Sequence, residues 1–360
     1  VLTARAADRA VYLRSHPVLF ALLAATRRRP VLRLGRTVLV HHPEPYREIL
    51  TRVPLDRTAE HTTGGTAARL TGGGLLFDQS GSEHRGSRRE LAALLGSDGI
   101  AALRPHWQRA LDRLESELAD GPVDLVPAVR LLAGATAVAL TGSTADPVAL
   151  AVAAERAAAA TARTHLPALL PRPGAERRAR RAAGRLTALL PDPRDAMLAV
   201  AAVNTTLAAL PRAAAWCARA GLWEQARTDA PALAVELLRL TAASPVLPRA
   251  AAVDATVLGH RLRRGDRLLL VARHAAEAHR DTPAGDAALA ARAPFGLGRH
   301  ACPGAALARA QLADLLAVLA PHRPRVLRTV AHSRSALPSY RRCLLARRPG
   351  AAPCPRSPSP

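Results

Sequence analysis

The residues best equipped for chemistry lie in Phe295-Gly-Leu-Gly-Arg-His-Ala-Cys-Pro-Gly304, directly ahead of an apolar-periodic stretch that predicts a helix over about Ala305 to Ala320. Gly296 and Gly298 permit tight turning and close backbone approach to a flat ligand. Cys302 stands just before a helix N-terminus, where free N–H groups and the helix dipole favour a thiolate. Gly304 leaves room beside the sulfur, and His300 can donate to an anion at the ligand's edge. Cys217, Cys343 and Cys354 have no such surroundings. Four cysteines at irregular spacing suit neither a disulfide framework nor a zinc site, and point to a reducing compartment.

This stretch resembles the haem-thiolate loop of cytochromes P-450, Phe-Gly-x-Gly-x-His-x-Cys-x-Gly, with every fixed position present. The resemblance implies haem b held between a long helix and this loop, with Cys302 as the axial iron ligand and Phe295, Gly296, His300 and Gly304 around it. It carries over to four further places. Glu236-Leu-Leu-Arg239 matches the family's Glu-x-x-Arg, whose side chains at i and i+3 share a helix face and can pair. Pro248-Arg249 matches the segment whose Arg reaches a haem propionate. His84 and Arg88 match a His-x-x-x-Arg that can point at the same anion, so two His and two Arg are expected to meet two carboxylates. Ala201-Ala-Val-Asn-Thr-Thr206 matches the long helix over the haem and places Thr205 on its distal face.

The chain departs from the family in several respects. Ala202 replaces a Gly and Asn204 replaces an acid; an amide can hold a water but cannot exchange a proton near neutral pH. His279-Arg280-Asp281 stands where the family has Asn-Arg-Asp. No clear segment supplies the third partner of the Glu236–Arg239 pair, for which Arg280 and Arg292 are the candidates. Residues 145–195, which in the family cover the substrate, are short.

Positioning these residues requires a mainly helical frame. Of 360 residues 49% are apolar but only 2% aromatic, so the core must be Leu, Ala and Val, which favour helices. From Glu83 to about Arg239 apolar residues recur at spacings of three and four, with breaks at Gly121-Pro122, Asp146-Pro147, Pro171 to Gly174 and Pro191 to Pro193. Pro211 should bend the helix carrying Thr205. Val31–Leu34 and Thr37–Val40 read as a hairpin, and Pro43 to Leu50 as a short helix. Residues 60–76 read as a mobile Thr- and Gly-rich loop, Val253 to Arg263 and Arg267 to Val271 as strands, 281–294 as irregular, and the end of the chain from Arg325 to Ala346 as one or two strands. The fold class expected is mainly α with a small β-rich side, one domain over 1–348, and a disordered tail over 349–360.

All 51 basic residues are Arg, against 28 acids, giving a formal charge of +23. Nucleic acid is disfavoured because stacking aromatics are almost lacking. Arg172 to Arg185 reads as a solvated helix face. No apolar run is expected to reach the roughly 18 to 20 residues of a membrane span, and Val18 to Ala25 lacks a cleavage site, so a soluble cytoplasmic protein without a membrane partner is expected. The function implied is insertion of one oxygen atom from dioxygen into a small organic substrate, with a specialised metabolite as the family-level reading. Its electrons would come from a separate acidic ferredoxin-type donor. Two other readings stay open: an atypical haem-thiolate enzyme that uses peroxide or performs coupling or rearrangement, and a non-catalytic binding or recruitment protein.

Overall fold

Leu and Ala spaced by three and four do form helices across the middle of the chain, in a computed structural model that describes residues 2–66, 79, 81–165, 172–280 and 285–348. Residues 67–76 of the Thr/Gly-rich segment, Asp281, the His300 side chain and the tail 349–360 lie outside the described residues. Helices α1 (Ala4–Ser15) and α2 (Pro17–Thr26) precede the hairpin β1 (Val31–Leu34) and β2 (Thr37–Val40). Then come α3 (Pro43–Arg52), β3 (Leu55–Asp56), α4 (Gly81–Leu94), α5 (Ser97–Asp120), β4 (Val123–Asp124), α6 (Leu125–Thr141), α7 (Pro147–His165) and α8 (Ala175–Thr187). The long α9 (Ala196–Ala220) and α10 (Trp223–Thr241) follow.

The β-rich side is built from β5 (Leu247–Ala251), β6 (Ala255–Val257), β7 (His260–Leu262) and β8 (Arg267–Leu270), then α11 (Ala272–Ala275) and α12 (Ala287–Arg292). Helix α13 (Ala305–Leu319) and strands β9 (Arg325–Ala331) and β10 (Tyr340–Ala346) complete the described chain. One sheet runs β1-β2-β8-β5-β3, another β4-β10-β9, and β6-β7 form a separate hairpin. Within the first sheet β2 and β8 are parallel, Val38 opposite Leu268, while β5 is antiparallel to β8 with Arg249 opposite Leu268.

Several expectations change. The strand expected over Val253 to Arg263 is two, because Leu258 and Gly259 take positive φ (46° and 80°) and turn the chain back. Residues 281–294 contain a helix, α12, capped by the Asp286 carboxylate on Leu289 N–H at 2.9 Å. Within the Thr/Gly-rich segment residues 63–66 are helical. Helix α9 is continuous through Pro211, and α10 carries a break that the sequence did not announce, at Asp229 (φ −151°), which caps the following turn through Ala232 N–H. Residues Pro193–Ala220 do form a stretch long and apolar enough to cross a membrane; 61% of its most apolar window is buried in the protein, as befits a core helix.

The larger core is a helical cluster of Leu and Ala around Trp107, Trp216 and Trp223, with α9 packed between α6, α7 and α10. Small residues let these helices approach closely: a Cβ on Gly134 of α6 would lie 2.0 Å from the Pro147 carbonyl oxygen. A second cluster joins the first sheet to α3. Between the layers lies a buried ionic group. Asp8 of α1 accepts from Arg212 of α9 at 2.7 Å and from Arg273 of α11 at 2.8 Å. Tyr12 stacks beneath both guanidiniums and donates to the Thr241 carbonyl at 2.5 Å. Arg212 also donates to Tyr12 and to the Pro338 carbonyl. Burial opposes its charge, but Asp8 and Tyr12 outweigh burial and raise its pKa.

Beside this group three histidines are packed together. His41 and His274 share a hydrogen bond at 2.9 Å, and His279 stands edge-on to His274. Burial, then neighbouring cationic groups, lowers His41 and His279 to about 4 and His274 to about 2.

Two outcomes are expected. Asp8→Ala strands two buried guanidiniums and should lower unfolding stability in urea by roughly 3–5 kcal/mol; a loss under 1 kcal/mol would show that the group carries little. The neutral histidines favour the fold fully above the unfolded value near 6.5, and that stability is lost as pH falls towards 4, at about 1.4 kcal/mol per pH unit for each histidine. Melting temperature should therefore drop steeply between pH 6.5 and 4, and less steeply in His274→Gln; equal slopes would contradict the assignment.

Candidate active site around Cys302

The loop before Cys302 is gripped from two sides. Tyr46 of α3, fully buried, donates to the Ala293 carbonyl at 2.6 Å, and burial raises its pKa so that it stays a donor. Leu297 is buried with the sheet-side cluster, while Phe295 packs against the helical cluster and lies under the Arg309 guanidinium. Gly298 has φ +64°, and a Cβ there would lie 2.9 Å from the Leu50 carbonyl oxygen, so glycine is required by both conformation and space. Cys302 N–H then donates to the Phe295 carbonyl at 2.7 Å, and Ala301 N–H to Gly298 at 3.1 Å. This fold-back sets the thiol three residues ahead of α13, as the sequence predicts.

Cys302 is open to solvent, although protein atoms crowd around it. Burial raises its pKa; a hydrogen bond from Gly304 N–H and the charge of Arg88 pull the other way without prevailing. The protein alone thus keeps a thiol, and a cation bound at the sulfur would release the proton. A Cβ on Gly304 would sit in ordinary contact with Sγ at 3.8 Å, so nothing in the polypeptide itself demands glycine there.

Cationic side chains gather nearby. Arg88 of α4 donates to the Ala301 carbonyl at 2.7 Å, tying that helix to the Cys302 loop. His84, one turn earlier, is buried, and its pKa is lowered by burial, then by Arg57, Arg88 and Arg299. Arg57 and Arg299 were not among the sequence candidates. Arg299 occupies a variable position of the motif, and Arg57 follows β3 in a segment with no signature of its own.

Arg249 on β5 points into a similar setting. It is half-buried against solvent and crowded by protein atoms. Burial lowers its pKa, with Tyr46 opposing. Its Nη1 reaches only the Pro248 carbonyl at 2.8 Å, and its Nε is buried with no partner among the described residues. A guanidinium placed so calls for an anion.

Glu236 and Arg239 of α10 pair in two bonds, at 2.5 and 2.8 Å. The third partner sought in Arg280 or Arg292 is neither. Arg280 pairs with Glu277 at 3.0 Å and Arg292 is exposed; a main-chain group, the Ala276 carbonyl, takes the remaining Arg239 donor at 2.7 Å.

On α9 the three polar residues diverge. Asn204 donates to the Val200 carbonyl at 3.0 Å and towards Ala154 of α7 at 3.4 Å. Thr205 donates to the Ala201 carbonyl one turn back at 2.7 Å, which leaves its oxygen free only to accept. Thr206 reaches Gln311 of α13 at 3.4 Å, and Gln311 donates to Thr136 of α6 at 2.9 Å, locking the helix behind Cys302 to the two others.

No family model and no curated protein matches the sequence. Solved structures do. The thaxtomin-hydroxylating cytochrome P-450 TxtC superposes with a TM-score of 0.71 at 18% identity, over 92% of this chain and 100% of that one. P-450 BioI, solved with an acyl carrier protein ligated to hexadec-9Z-enoic acid, gives 0.70 at 15% identity over 93% and 99%. A six-coordinated cytochrome P-450 from Thermus thermophilus gives 0.67 at 21% identity over 92% and 98%.

Because Arg249 has no counter-charge among the described residues, Arg249→Leu should cost the ligand-free protein less than about 1 kcal/mol of unfolding stability. A loss of 3 kcal/mol or more would mean that the guanidinium is satisfied within the polypeptide.

Proposed function

On the cytochrome P-450 fold that this chain adopts, we propose a soluble, cytoplasmic haem-thiolate monooxygenase acting on a small organic substrate. One atom of dioxygen would enter the substrate and the other would leave as water, with two protons and two electrons from a separate acidic ferredoxin-type donor. The observation that carries the reading is Cys302, open to solvent at the head of α13, with Arg249 unpaired among the described residues and His84 and Arg88 in a cationic group. These residues fit haem b. Cys302 would hold the iron, Arg249, Arg88 and His84 would take the propionates together with His300, and Phe295, Gly296 and Gly304 would shape the loop against the ring. Bound there, the haem would supply dioxygen activation, for which a thiolate ligand favours O–O cleavage.

The chain's own residues would do the rest. The Gly304 N–H and Arg88 stabilise negative charge on Sγ. Phe295 and Leu297 pack into the two cores on either side of the loop and hold it in place. Thr205, able to accept through its oxygen, would orient a water on the distal side. Asn204 would position such a water but pass it no proton. That amide, turned towards α7, favours a second reading, in which peroxide replaces dioxygen and the donor. The thaxtomin that one neighbour hydroxylates supports a small molecule as substrate, with a specialised metabolite as the narrower reading.

The test is an absorbance difference spectrum of the dithionite-reduced protein with and without carbon monoxide. A strongly red-shifted Soret band, lost in Cys302→Ala and weakened through poorer haem retention in Arg249→Leu, is the expected result. A band at the ordinary haem position, or no haem, would leave only a binding role. Donor-driven turnover that rises in Asn204→Asp would support the dioxygen reading; fast peroxide turnover unaffected by Asn204→Asp would support the second.

A further inference from the structure

Outside this site, α7 and α8 lie side by side and leave a groove of about 430 Å³ between them. Each helix contributes one stripe, at i, i+3, i+4 and i+7: residues 149, 152, 153 and 156 on α7, and 178, 181, 182 and 185 on α8. Val152, Ala153 and Ala182 form the floor; Arg156 stands on one rim and Arg178, Arg181 and Arg185 on the other. All four guanidiniums belong to exposed residues, and among the described residues none is ion-paired. The nearest acid on α7, Glu155, is already held by Arg130 at 2.6 Å. Two stripes of two turns each run for about 11 Å.

We propose that this groove seats an acidic amphipathic helix of a partner protein, its apolar stripe on the alanine floor and its flanking carboxylates between the two arginine rims. Helix-in-groove recognition reads anchors at this same spacing. Small floor residues admit a helix closely, and the rims supply complementary charge that fixes its direction. Nucleic acid fits less well, since no aromatic lines the groove for stacking. A membrane fits less well, since the apolar residues are recessed between charges instead of projecting as anchors. Nor is this a second electron-donor surface by position. The groove belongs to helices on the Asn204 side of α9, whereas Cys302 heads α13, which packs on α5 and α10. The proposal stands whether or not haem is bound.

The probe is a fluorescein-labelled 18-residue peptide with a Leu stripe flanked by Glu, beside a scrambled peptide of the same composition. Binding to the full protein is read by fluorescence anisotropy at low and moderate salt. The patterned peptide should bind at least ten-fold more tightly than the scrambled one. The triple variant Arg178→Glu, Arg181→Glu, Arg185→Glu should lose at least ten-fold, while Arg325→Glu with Arg328→Glu on β9 should change it less than two-fold. Arg178→Gln with Arg181→Gln gives a milder version that circular dichroism can show to be folded. Equal affinity for the two peptides, or equal loss in the β9 control, would overturn the proposal. So would tighter binding of anionic phospholipid vesicles or duplex DNA through the same arginines.

Discussion

The backbone bond from Cys302 to Phe295 is the point on which the site turns. It closes a loop whose two shoulders belong to different cores, Leu297 to the sheet side and Phe295 to the helical side. Neither core alone would orient the thiol. The sheet layer reaches the loop through α3, by Tyr46 on Ala293 and by the Leu50 carbonyl against Gly298. The helical layer reaches it through α13, fixed by Gln311 to α6 and α9. Cys302 therefore reports the relative placement of the layers, and a shift of either would move the sulfur.

Arginine is the only strong base in the chain, and the structure uses it in three environments. Asp8 neutralises part of a fully buried pair, Glu236 makes a two-bond fork at a helix face, and Arg249 stands half-buried with no acid paired to it among the described residues. Each suits a planar donor set whose charge persists on burial. The contrast matters functionally. Where the polypeptide supplies the carboxylate the arginine is structural; where it does not, the site is incomplete without an anion from elsewhere.

Much of this was readable from residue order. The loop at Cys302, the Glu236–Arg239 pair, the β1–β2 hairpin and the succession of helices follow from local signals: glycine in a turn, i,i+3 spacing, apolar periodicity. What was not readable depends on distance in the chain. The Ala276 carbonyl that completes the pair is a main-chain atom with no side-chain signature. Arg57 and Arg299 meet His84 only through the fold. The β6–β7 hairpin was hidden because its turn is Leu258-Gly259, where a Leu holds a positive φ that its side chain does not advertise. Core packing holds α9 continuous around Pro211, whereas Asp229 offers its carboxylate as a cap and α10 breaks there.

The Asp8 group has a consequence for how the molecule is made. Its members come from positions 8, 12, 212, 241, 273 and 338. During synthesis α1 emerges before both of its arginine partners, and Asp8 finds the first only after two hundred more residues and the second later still. Until then the carboxylate is better kept in water, so α1 cannot settle on the growing helical layer. The long sequence separation makes this closure a late and slow event. Helix α1 then acts as a latch between distant parts of the chain, closed only once Arg212 and Arg273 are both in place.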